Sequence, residues 1–163
     1  ETRFLQPVFL RSVFKWSTDF LIAYIREVYH PYLEEQLPHV LSEIENFAEG
    51  HRKKFKFLEE LEPLVTELEN SVRAYLEQDR QWYADISKSL TTTENYQSAF
   101  QQKKTHLVSV LRLMRSVSNE YVYHETACTS HRVAFSLLKE LETWILDLIY
   151  LEEILFERLE NQK

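Results

Sequence analysis

Six side chains able to donate to a cation interrupt or flank what would otherwise be apolar helix faces: His30, His51, Tyr75, Asp79, His106 and Glu152. Two of them are carboxylates, and a buried carboxylate without compensation is costly. Asp79 and Glu152 must therefore be protonated, paired with a buried base, hydrogen-bonded or coordinated to a metal. Tyr75 and Asp79 are one helical turn apart, so their oxygen atoms lie on one face. Histidine nitrogens with carboxylate oxygens suit iron, zinc or manganese, and helical bundles build such sites from inward Glu and His on facing helices. The same residues also fit a cluster without metal. His30, His51 and His106 would then neutralise Asp79 and Glu152 in a buried ion-pair network, with the Tyr75 phenol hydrogen-bonded to a carboxylate.

The elements that must position these groups are helices. A single glycine and four prolines leave few sites for tight turns, while Leu, Glu, Lys, Gln and Ala favour helix. A first helix is expected from Ser17, whose hydroxyl can cap it, to about Ala48, bent by Pro31 and Pro38 and ended by Gly50. Its stripe is Leu33, Leu37, Leu41 and Ile44, with His30 before it and His51 just past its end. A second, from about Lys54 to Ser89, carries Leu61, Val65, Leu68, Val72, Tyr75, Asp79, Trp82 and Ile86 inward at alternating steps of four and three. "SLTTTEN" reads as a loop, and Thr91 with Glu94 has capping-box spacing for a third helix to about Tyr121, its stripe Ala99, His106, Val110, Leu113 and Val117. "VYHET" reads as the next connection. A fourth helix from about Ala127 to Leu159 turns Ala134, Leu138, Leu141, Ile145, Leu148, Glu152, Leu155 and Leu159 inward. Short connections between four long helices imply an all-α, antiparallel up-and-down four-helix bundle over residues 16–163, with residues 1–15 as an amphipathic lead-in across one end. Trp144, Ile149, Leu151, Ile154 and Phe156 fall sideways or outward on the last helix, which suits a homodimer contact.

The chain of 163 residues, 44% hydrophobic and 13% aromatic, supplies one domain with a sizeable core. Nineteen basic against 26 acidic residues, a net charge of −7, argue against nucleic-acid or anionic-membrane partners, which need a positive face. The basic runs "HRKKFK" and "QQKKTH" read as solvated helix surface. A lone cysteine, Cys128, cannot form an internal disulfide and points to a reducing, cytoplasmic setting; it reads as a packing residue. No apolar run reaches the roughly 18 to 20 residues of a membrane span. Residue 1 is Glu rather than Met, with no signal-peptide pattern, so further sequence upstream is expected. No glycine-rich phosphate loop, CxxC pair or nucleophilic triad ordering is present.

The motifs resemble the hemerythrin-like (HHE cation-binding) family, most nearly the di-iron domain of iron-sulfur cluster repair proteins, over about residues 16 to 159. "WSTDFLIAYIREVYHPYLEEQLPHV" is similar to the family's opening helix, and His30 fits the histidine that precedes its "LP" pair; His51 falls at the second ligand position. "YLEQDRQWYADI" stands where the family has His-x-x-x-Glu, with Tyr75 for the histidine and Asp79 for the glutamate. "KKTHLVSVLRLMRSVSNEY" resembles the third helix and aligns His106 with a third histidine ligand. "ACTSHRVAFSLLKELE" resembles the start of the last helix. "LIYLEE" replaces the closing His-x-x-x-Glu, with Leu148 for the histidine and Glu152 keeping the glutamate. The resemblance implies Glu152 as a bridging carboxylate, Asp79 as its shortened counterpart, and iron in a partial or mononuclear site, with a di-iron centre, zinc or no metal as alternatives. It further implies O₂ or NO as ligands and a part in iron-sulfur cluster repair under nitrosative or oxidative stress. The alternative function is a metal-free bundle kept as an interaction or dimerisation module.

Overall fold

The computed structural model describes residues 8–88 and 93–161, with side chains from 12 onward and, in the second stretch, from 95. Helix α1, Thr18–Tyr24, starts where Ser17 holds extended backbone and its hydroxyl oxygen accepts the Phe20 N–H at 3.1 Å. α1 runs into a single π-turn, Ile25–Tyr29, and then into α2, His30–His51. The π-turn falls just ahead of Pro31, which has no N–H to continue the ladder, and the His30 N–H instead donates to the Ile25 carbonyl. Pro38 lies inside α2 without ending it. Gly50 is not the stop that its type suggested. A glycine stop needs left-handed backbone, which Gly50 does not adopt. The helix continues to His51, whose carbonyl then accepts from Lys54 and Phe55 in the turn that follows.

That turn delays α3 to Leu58–Ser87, four residues later than Lys54. The α3 stripe is buried as its spacing predicts, with Leu61, Val65, Leu68, Val72, Tyr75, Asp79 and Trp82 inward and Tyr83 beside them. α4 spans Thr93–Val117, and residues 89–92 lie outside the described ones, as does the proposed Thr91–Glu94 cap. The α4 stripe differs from expectation. Phe100, Leu107, Val110, Leu111 and Met114 are buried, whereas Leu113 is exposed. In α5, Thr129–Glu160, Ala134, Leu138, Leu141, Ile145, Leu148, Glu152 and Leu155 are buried, and Leu159 is partly so.

α2 packs on α3 and α5, and α4 on the same two, so the four long helices enclose one core as a four-helix bundle. No strand occurs among the described residues. Of the lead-in, a 3-10 segment from Val8 to Lys15 is described. It buries Val13 and is tied down by the Arg158 guanidinium, which donates to the carbonyls of Val13, Phe14 and Trp16. No helix among the described residues is long and apolar enough to cross a membrane.

The side faces of α5 are covered within the chain. Ile149, Leu151, Ile154 and Phe156 are buried, Phe156 stacking on Trp82 with ring centroids 4.1 Å apart, and Trp144 is partly covered by Tyr32 at 3.7 Å. A helix in contact with several neighbours needs more than one narrow stripe, and these residues supply that width.

Candidate metal centre

Three segments far apart in sequence meet inside the core, toward the end of the bundle where α2 begins. His30 is the first residue of α2, aimed inward by the π-turn before it; Asp79 lies on the α3 stripe; Glu152 lies on the α5 stripe. One ligand atom from each falls within 4.8 Å of the other two, and all three residues are buried. His30 Nε2–H donates to Asp79 Oδ2 at 3.0 Å, with both residues 5% exposed. Glu152 is 0% exposed, and neither of its oxygens has a hydrogen-bond partner of good geometry. Two acidic groups and one imidazole are thus enclosed together.

The electrostatics follow from that enclosure. Burial first, and then the Asp79 carboxylate beside it, hold the Glu152 carboxyl well above the usual range. The Tyr75 hydroxyl interacts with Glu152 but falls short of hydrogen-bond geometry. Burial raises Tyr75, and the negative charge of Glu152 and Asp79 adds to it, so its phenol keeps its proton. Tyr83, one turn beyond Asp79, is raised by burial and by the same two carboxylates and lies tilted against the His30 ring at 5.8 Å. It was not among the residues singled out from sequence, though its spacing of four from Asp79 puts it on the same face.

His51 and His106 stand outside this cluster. His51 is on the same helix as His30, and a rise of about 1.5 Å per residue sets them about 30 Å apart. Its Nδ1–H donates to the Phe47 carbonyl at 2.8 Å, leaving Nε2 against the Cys128 thiol at 3.2 Å. Cys128 is exposed, not packed, and stands at the N-cap position of α5 without a side-chain capping hydrogen bond. The nearby buried histidine, His131, is a core residue stacked on Phe47 at 4.5 Å; burial first, then the charges of His51 and Lys54, lower its pKa. His106 precedes Leu107, a core residue, and one residue of helix is about 100° of rotation. Its side chain is consequently 53% exposed, and Nε2 pairs with Glu67 at 2.7 Å. Leu148 is buried one turn before Glu152, filling with apolar side chain the place where the resemblance has a histidine.

A cleft of about 470 Å³ adjoins the triad between the π-turn and the last part of α3. Arg26, Glu27, Glu34, Arg80 and Tyr83 line it together with His30, so the His30 ring touches both the core cluster and the cleft. A histidine nitrogen with two carboxylates is a donor set suited to a divalent first-row metal, and the orphaned oxygens of Glu152 are the group such an ion would satisfy. Three donors converge, which fits one ion and not a bridged pair. No protein-family model matches the chain.

Proposed function

We propose that this chain is a divergent hemerythrin-like protein, an up-and-down bundle that holds one transition-metal ion between His30, Asp79 and Glu152, iron by the resemblance of its motifs. The observation that carries the reading is Glu152, a carboxyl fully enclosed in an apolar core with both oxygens unpartnered and two further donors beside it. An ion there takes the place of the proton between His30 and Asp79 and neutralises Glu152. Tyr75 serves as a protonated donor beside the site. Bound iron would supply an open position for a small ligand such as O₂ or NO; work on iron-sulfur clusters under stress, in the cytoplasm, is what the resemblance adds.

The test is iron content and optical spectrum of protein purified without a chelating column and loaded anaerobically with Fe(II). About one iron per chain is expected. Glu152→Leu abolishes uptake and, by removing a buried acid, stabilises the metal-free protein by about 1–3 kcal/mol. A wild-type stoichiometry of zero overturns the reading. That outcome would leave the second one, a metal-free scaffold, which is favoured by a specific feature: the His30–Asp79 bond settles one carboxylate, and a proton on Glu152 settles the other.

A further inference from the structure

An ion held between His30, Asp79 and Glu152 must first cross the surface, and the cleft beside the π-turn ends on one of its ligands. His30 is a wall of that cleft, and its side chain is 7% exposed, whereas Glu152 is fully enclosed. Clefts farther along α3 are lined by none of the three. The two ways inward differ in what must give. Turning the His30 ring breaks one hydrogen bond, that to Asp79 at 3.0 Å. Reaching Glu152 between the apolar stripes of α3 and α5 would part close-packed side chains along both helices.

The charges at the mouth act on what approaches. Arg80 is engaged by Glu34 and by Glu77, the latter at 3.0 Å, so these groups largely offset one another. Arg26 and Glu27 are neighbours on the π-turn, both line the cleft and both are exposed. Neither has an ion pair or a hydrogen bond among the described residues. A hydrated dication meets these two uncommitted charges with opposite results. The Glu27 carboxylate raises its local concentration and can replace one of its waters, and the Arg26 guanidinium repels it.

We infer that a divalent ion enters through this cleft, received at the mouth by Glu27 against the opposing charge of Arg26 and admitted by rotation of the His30 side chain. This route rests on the metal reading of the triad, and it makes His30 both a ligand and the door to the other two.

The experiment is the rate of anaerobic Fe(II) uptake by the metal-free protein, with reactions quenched at intervals into a colorimetric chelator that reads the iron still free. At low salt, Glu27→Gln should slow uptake and Arg26→Gln should speed it, each by about three- to tenfold. Glu49→Gln removes the same charge as Glu27→Gln at an exposed position near the other end of α2, roughly 30 Å away along the helix, and should leave the rate unchanged. All variants should reach the wild-type stoichiometry, because none of the three residues is a ligand. The differences should shrink at about 1 M salt, where the screening length falls to about 3 Å. Rates of Glu27→Gln and Arg26→Gln that match wild type, that move in the same direction, or that Glu49→Gln reproduces would overturn the route and leave the metal centre standing. A wild-type protein that takes up no iron at any time overturns the metal centre, and the route with it.

Discussion

Asp147 is a half-buried carboxyl on α5 close to Tyr24 and Tyr29, and burial pushes its pKa from the usual 3.8 to about 7. Between those values the folded protein keeps a proton that the unfolded chain has released, so stability falls as pH rises through that window. With allowance for the solvent that still screens the group, the loss is about 1–2 kcal/mol. Asp147→Asn should flatten this slope and make the protein more stable at pH 8 by a similar amount, read from urea unfolding at pH 5 and pH 8; an unchanged slope refutes the assignment. Single residues also show how far position in sequence locates a site. Tyr75, Asp79 and Glu152 were legible because long, regular stripes on α3 and α5 admit only one inward phase. His106 was not, because the α4 stripe reads in two phases one residue apart, and packing chose the phase that carries Leu107.

At the scale of elements, two features of the described backbone bear on the bundle, the π-turn and the α4–α5 connection. The π-turn before Pro31 adds a residue to the helix and sets the phase at which His30 enters the core. The α4–α5 connection holds Asn119, Glu120 and Tyr121 at φ of 52°, 59° and 60°, left-handed backbone that side chains with a Cβ rarely adopt. Ser118 helps to hold the turn, its hydroxyl oxygen accepting the Tyr121 N–H at 3.1 Å, and Tyr121 is buried. Glu120 is exposed, so its side chain has little to lose. Glu120→Gly should stabilise the protein by about 0.5–1 kcal/mol, the strain relieved less the extra entropy of an unfolded glycine. Thermal unfolding checks it, and a fall in midpoint would show that the turn is not strained. Neither feature was readable beforehand, since "SVSNEY" carries no glycine to announce left-handed backbone, and a proline signals a misfit without saying how the helix absorbs it.

For the molecule as a whole, a bound ion should report itself in global stability. An ion that binds only the folded chain adds about 2.7 kcal/mol at a hundred times its Kd, about 5–10 °C in midpoint for a domain of this size. Because Glu152 holds its proton well above the usual range, uptake must displace that proton, and the gain should grow as pH rises. Scanning calorimetry with and without Fe(II) at pH 6 and pH 8 tests this; an equal midpoint in all four conditions contradicts it. The sequence by itself determined the helical class, the placement of the four long helices to within a few residues, and the carboxylates and phenol on their inner faces, because periodicity and burial cost are local properties of a chain. Tertiary structure alone decided which donors meet. His30 and His51 share one rod and can never face the same centre, a consequence of α2 running unbroken through Gly50. The flanks of α5 were closed by α2, α3 and α4, and the cleft at Arg26 and Tyr83 exists only where the π-turn lies against the end of α3. Convergence is a property of packing, which no single stripe contains.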